Sequence, residues 1–131
     1  MSIDWESLKS AAREARERAY APYSSFRVGA ALLASGRVFA GCNVENASFP
    51  VGICAERAAL AAAVAAGCRD LTAVLVLGPK PVAPCGMCRQ ALAEFNPRAT
   101  VLIVGAESGE ELETTLDTLL PQPFGPPSLT S

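Results

Sequence analysis

The run Thr72-Ala73-Val74-Leu75-Val76-Leu77, set between two stretches of helical spacing, constrains the fold most. It reads as a buried strand. Before it, Cys54 to Ala66 is Ala-rich and closed by Gly67; after it, Cys85 to Phe95 reads as a second helix. Thr100 to Val104 is another apolar strand. Strand, helix, strand, helix, strand at this spacing implies crossover connections and helices on the faces of a sheet. Phe26 to Ala34 and Arg37 to Cys42, separated by Ser35-Gly36, read as a hairpin adding an antiparallel edge. A first helix is expected from Asp4, its cap, to Tyr20, with Pro22 stopping it. A short strand at Leu112 to Leu116 and a turn at Asp117 to Leu120 complete the expectation. It is an α/β fold: three layers, α/β/α, around a mixed, mostly parallel sheet of about five strands.

At 131 residues the chain is expected to be a single catalytic domain, residues 1–131. About two thirds of the extended chain's surface is buried at this size, enough for a core without disulfides. The chain contains no histidine. That excludes Ser-His-Asp triads, Cys-His dyads and zinc sites with imidazole ligands, leaving sulfur or carboxylate to bind a metal and carboxylates to carry protons. Eleven basic against thirteen acidic residues offer no footprint for a polynucleotide. Charged residues make up 18% and hydrophobic ones 50%, an apolar excess that other subunits could cover. No stretch is long and apolar enough for a membrane span, and the N-terminal residues lack the pattern of an export signal. Five cysteines, an odd number, then point to a reducing cytoplasm and to metal or thiol chemistry.

Three of those cysteines fall at helix starts: Cys54 in Cys54-Ala55-Glu56-Arg57, and the pair in Pro84-Cys85-Gly86-Met87-Cys88-Arg89. Both starts follow strands, so both belong at the carboxyl edge of the sheet, where open α/β folds bind ligands. A helix start carries about half a positive charge and free N–H groups, which stabilise thiolates. Three thiolates on one zinc ion leave a tetrahedral position open, as in catalytic sites. Glu56, two residues beyond Cys54, need not ligate and can serve as a proton carrier over that position. Three cysteines, a free glutamate and Pro-Cys-x-x-Cys match the pattern of zinc deaminases.

The chain resembles the small homotetrameric cytidine deaminases of pyrimidine salvage over nearly its whole length. The matching blocks are Tyr23 to Ala31, Gly41 to Ser48, Cys54 to Ala59, Pro84 to Gln90, and Leu119-Leu120-Pro121 with Phe124-Gly125-Pro126. The resemblance implies zinc-dependent hydrolytic deamination of cytidine and deoxycytidine to uridine and deoxyuridine. It implies one Zn2+ per chain on Cys54, Cys85 and Cys88, with Glu56 as general acid and base. Phe26, Asn43, Glu45, Ala55 and Phe124 would bind substrate: Asn43 and Glu45 at the ribose hydroxyls, Phe26 against the pyrimidine, Phe124 in a neighbouring subunit's site. Arg57 would hydrogen-bond the ligand sulfurs and draw charge from the metal. The implied partner is a small nucleoside, with neither polynucleotide nor membrane, in a cytoplasmic homotetramer with shared sites. Phe49 stands where the family usually has tyrosine, Gly78 to Ala83 is shorter than usual, and Ala83 replaces a common serine.

Other readings remain open at this stage. Cys85 and Cys88 alone could form a redox dithiol or part of a non-catalytic zinc module. The same fold could act on another aminopyrimidine nucleoside such as blasticidin S. Single-strand editing is disfavoured by the acidic balance. Cys42 and Cys68 read as small packing residues.

Overall fold

A computed structural model describes residues 2–130. Helix α1 spans Trp5–Glu17, opened by Asp4, whose side chain accepts from the Ser7 N–H at 3.2 Å. It ends short of the expected Tyr20 because the backbone there is used elsewhere. Tyr20 N–H donates to Asn43 O at 3.0 Å, and Glu45 N–H donates to Tyr20 O at 2.8 Å. Strands β1 (Gly29–Ala34) and β2 (Arg37–Cys42) form the expected hairpin. Ser35 and Gly36 both take positive φ, 50° and 76°, as a tight two-residue turn demands. β1 starts at Gly29 rather than Phe26 because the Asn43 side chain takes the Phe26 carbonyl and the Val28 N–H.

Helix α2 (Ala55–Ala65), strand β3 (Leu71–Gly78), helix α3 (Gly86–Ala93) and strand β4 (Thr100–Gly105) follow as read. Strand β5 (Glu111–Thr115) and the short helix α4 (Leu116–Leu119) complete the sheet side of the chain. The strand order is β2-β1-β3-β4-β5. The sheet is mixed, with five strands, and β2, β3 and β4 run in one direction. The parallel share is nonetheless smaller than expected: β3–β4 is the one parallel neighbour pair, while β1–β2, β1–β3 and β4–β5 are antiparallel. The cause is burial. β1 is almost wholly buried and takes an interior place between β2 and β3, while β2, more exposed, is left at the edge.

Alternation along the strands divides the core into two layers. Ala73, Leu75 and Leu77 of β3 and Leu102 and Val104 of β4 meet Leu8 and Ala12 of α1. Val74, Val76, Val101 and Ile103 face the other way, against Ala59 of α2, Leu92 of α3 and Leu116 of α4. The three-layer α/β/α arrangement is therefore present. Because β2 and β3 point the same way, the chain leaves both at one edge of the sheet and starts α2 and α3 there. That shared edge positions the site.

Candidate active site

Cys54 caps α2 and Cys85 caps α3, with Cys88 one turn further into α3. The sulfurs of Cys54, Cys85 and Cys88 all lie within 4.8 Å of one another, and Cys54 Sγ is 3.8 Å from Cys85 Sγ. A tetrahedral zinc with bonds of about 2.3 Å sets its sulfurs about 3.8 Å apart, so the thiols fit the ion. Cys88 is buried, Cys54 half-buried and Cys85 exposed, so the group opens to solvent on one side. The Cys54 thiol is pulled down to about 5, chiefly by hydrogen bonding with Cys88, and then by Arg57 and Cys85. Cys88 is pushed up, chiefly by that same bond to Cys54 and then by burial. Opposite shifts on adjoining thiols show how closely they share charge, and a divalent ion suits three thiolates here.

Glu56 is the one buried charged side chain among the described residues, 4% exposed. Burial, ahead of any other cause, pushes its carboxyl up from the usual range. Arg57 donates from a terminal nitrogen to Cys54 Sγ at 3.8 Å, and its Nε is buried with no partner. A buried guanidinium N–H left open beside a thiol cluster fits a site whose full negative charge comes with its metal.

Cys54, Cys85 and Glu56 open onto a cavity of about 340 Å³, within the range of small-molecule sites, with Cys88 and Arg57 behind its lining. Phe26, Asn43, Glu45, Cys54, Ala55, Glu56 and Cys85 all line it. The family model for the "cytidine and deoxycytidylate deaminase zinc-binding region" matches residues 2–104. The chain belongs to that family. Among curated proteins, it is 46% identical over 125 residues to a cytidine deaminase of Halalkalibacterium halodurans, covering 93% of this chain and 95% of that one. A cytidine deaminase of Sporosarcina psychrophila is 44% identical, with 93% and 92% covered. The 1.6 Å crystal structure of cytidine deaminase from Burkholderia pseudomallei superposes with a TM-score of 0.87 at 47% identity, covering 93% of this chain and all of that one.

Within this deaminase fold, the remaining candidate residues are placed unevenly. Asn43 donates from Nδ2 to Phe26 O at 2.7 Å and accepts at Oδ1 from Val28 N–H at 2.9 Å. Glu45 Oε1 accepts from Tyr23 N–H at 3.0 Å and Ser24 N–H at 3.2 Å, and Oε2 accepts from the Ser24 hydroxyl. The carboxyl of Glu45 is held below its usual value, first by the Ser24 hydroxyl and then by the backbone donors. Both side chains therefore build the wall of the cavity as well as line it. Phe124 does not line its own chain's cavity; it is 61% exposed, with its carbonyl accepting from Gln90 Nε2 at 2.7 Å.

Phe49, at the tyrosine position, is 74% exposed with its ring 5.9 Å from that of Tyr23. Ala83 lines the cavity in place of the more common serine. Sequence reasoning overlooked Ser24, though it stands inside the quoted Tyr23 to Ala31 block. It also overlooked the pairing of Val44 with Ile53, whose two backbone bonds of 3.0 Å join the Asn43–Glu45 segment to the residue before Cys54.

Proposed function

We propose that this chain hydrolyses cytidine and deoxycytidine to uridine and deoxyuridine, releasing ammonia. The observation that carries this reading is three converging thiols beside a buried Glu56 that is outside their cluster, with Cys54, Cys85 and Glu56 all lining a cavity of about 340 Å³. Cys54, Cys85 and Cys88 hold zinc. Zinc bound there supplies an open coordination position and a Lewis acid that brings the pKa of water towards 7. Glu56 takes the proton of the attacking water and delivers it to ring N3 as the oxygen adds to C4. It then takes the proton of the hydroxyl added at C4 and gives it to the departing amine, so that the C4–N bond breaks, ammonia leaves and the C4 carbonyl forms. Burial keeps this carboxyl away from bulk solvent while it works.

Phe26 packs on the pyrimidine, Ala55 contacts it from the first turn of α2, and Asn43 and Glu45 take the ribose hydroxyls. Each of those two polar side chains has hydrogen-bonding capacity beyond the bonds to the loop. Arg57 steadies the sulfurs. We further read the chain as a single domain acting in a cytoplasmic homotetramer, in which Phe124 completes a neighbour's site. The exposed Phe124, Phe49 and Leu129 and the five free thiols support this. No helix among the described residues is long and apolar enough to cross a membrane.

The test is a near-ultraviolet assay with cytidine, deoxycytidine and blasticidin S in competition. Cytidine and deoxycytidine are expected to turn over with stoichiometric ammonia. Preferential turnover of blasticidin S would move the assignment to another aminopyrimidine nucleoside. Sedimentation addresses the assembly, and a fully active monomer would exclude shared sites.

A further inference from the structure

Between α1 and β1 the chain passes through Tyr23-Ser24-Ser25-Phe26, and one hydroxyl in this loop has two partners. Ser24 Oγ donates to Glu45 Oε2 and accepts the Phe26 N–H at 3.0 Å. A hydroxyl can do both at once; a carboxylate, an ammonium or a methyl cannot. Ser25 takes φ 59°, and its N–H returns to Ala21 O at 3.0 Å, so the backbone turns back on itself at this point. Among the described residues, no other bond is made by Glu45 Oε2 or by the Phe26 N–H.

Glu45 is itself anchored from behind. Its N–H is bonded to Tyr20 O at 2.8 Å, and Val44 is paired in both directions with Ile53. The Tyr23 and Ser24 N–H groups hold one carboxylate oxygen, and the Ser24 hydroxyl holds the second, which fixes the rotation of the carboxylate plane about the first. The same hydroxyl sets where the backbone of Phe26 begins its approach to the cavity. We propose that Ser24 is a positioning residue that couples the aromatic wall at Phe26 to the acid at Glu45. On the reading of the site given above, it thereby fixes the base-binding and ribose-binding ends of the pocket relative to each other. Ser24 touches no reacting atom in this scheme; it acts through its two partners.

The coupling predicts a particular split. Ser24→Ala raises KM for cytidine about tenfold, the loss associated with one charge-assisted hydrogen bond near solvent, and lowers kcat by far less. Ser24→Thr keeps the hydroxyl at an exposed position and restores KM to near the native value. Zinc content and Tm of both variants, measured in parallel, show whether the scaffold is intact. Amide hydrogen exchange in the absence of substrate reads the positioning itself: the Phe26 N–H exchanges about tenfold faster in Ser24→Ala, and Ser24→Thr restores its protection. Native KM and native Phe26 exchange in Ser24→Ala would overturn the proposal. So would a Ser24→Thr enzyme as impaired as Ser24→Ala. A native chain inert on cytidine would instead overturn the functional reading, and the exchange experiment would still decide whether Ser24 holds Phe26.

Discussion

Replacing Gly41 by alanine perturbs the site from behind. Gly41 lies in β2 under α2, and a Cβ there would stand 2.4 Å from Ala59 N, 2.7 Å from Ala55 O and 2.9 Å from Ala58 Cβ. Ordinary contact begins at 3.4 Å, so the helix must withdraw by about 1 Å. The two nearest obstacles are backbone atoms that cannot rotate aside. Overpacking of this kind costs about 1–3 kcal/mol, which lowers Tm by roughly 3–10 °C. The withdrawn helix carries Glu56 in its first turn and Cys54 at its cap. A misplacement of about 1 Å in catalytic groups is worth roughly a hundredfold in kcat/KM. Thermal unfolding and steady-state kinetics on folded protein measure the two effects separately. Adding Ala58→Gly should not restore function, since it removes only the most distant of the three contacts. Gly29→Ala meets Ala12 O at 2.1 Å on the opposite face. It should lose comparable stability with a much smaller loss of kcat/KM, because α1 bears none of the site residues. Native stability and turnover in Gly41→Ala, or rescue by Ala58→Gly, would refute the reasoning.

Glu56→Gln should retain zinc, measured by metal analysis, while kcat falls about a hundred- to ten-thousandfold, the range for loss of a positioned acid–base group. Lys9 lies 2.6 Å from Glu111 and 3.4 Å from Glu6, and its ammonium is held above 10.5, chiefly by the hydrogen bond to Glu111. A raised folded-state value means this stabilisation is fully present below pH 10.5 and is lost as pH climbs through the folded value. Lys9→Met should therefore lower Tm near neutral pH, with the gap to the native protein closing above pH 10.5. Asp4 is the mirror case: its carboxyl is held below 3.8, first by the Ser7 hydroxyl and then by the Ser7 N–H. Its contribution is present above 3.8 and lost as pH falls through the lower folded value. Thermal melts of Asp4→Asn across acid pH should show a difference from native that vanishes in strong acid.

Local signals in the sequence are legible wherever local chemistry decides. Asp4 caps α1, Ser35-Gly36 makes the hairpin turn, and Gly67, at φ 80°, follows the end of α2. The convergence of Cys54 with Cys85 and Cys88 was legible too, since two helices starting after co-directional strands must begin at one sheet edge. Pairing between distant segments was not legible. Nothing in Gly29-Ala30-Ala31-Leu32-Leu33-Ala34 says that this strand inserts between β2 and β3; its burial on both faces does, and that is a property of the packed molecule. The early ends of α1 and β1 have the same origin, because Asn43 and its backbone capture groups at Tyr20, Phe26 and Val28 across the fold. For that reason too, Asn43 and Glu45 look like plain loop polars in the sequence, yet build the cavity wall as well as line it.

Turnover of cytidine by protein of known zinc content bears most directly on the central claim, that three thiolates hold a metal over which Glu56 moves protons. A chelator strips the protein, zinc is titrated back, and both bound metal and ammonia release are followed. The account predicts that activity disappears with the metal and returns in proportion to zinc, levelling off at one ion per chain. Activity that persists in fully stripped protein would contradict it, and so would zinc bound at Cys54, Cys85 and Cys88 without turnover.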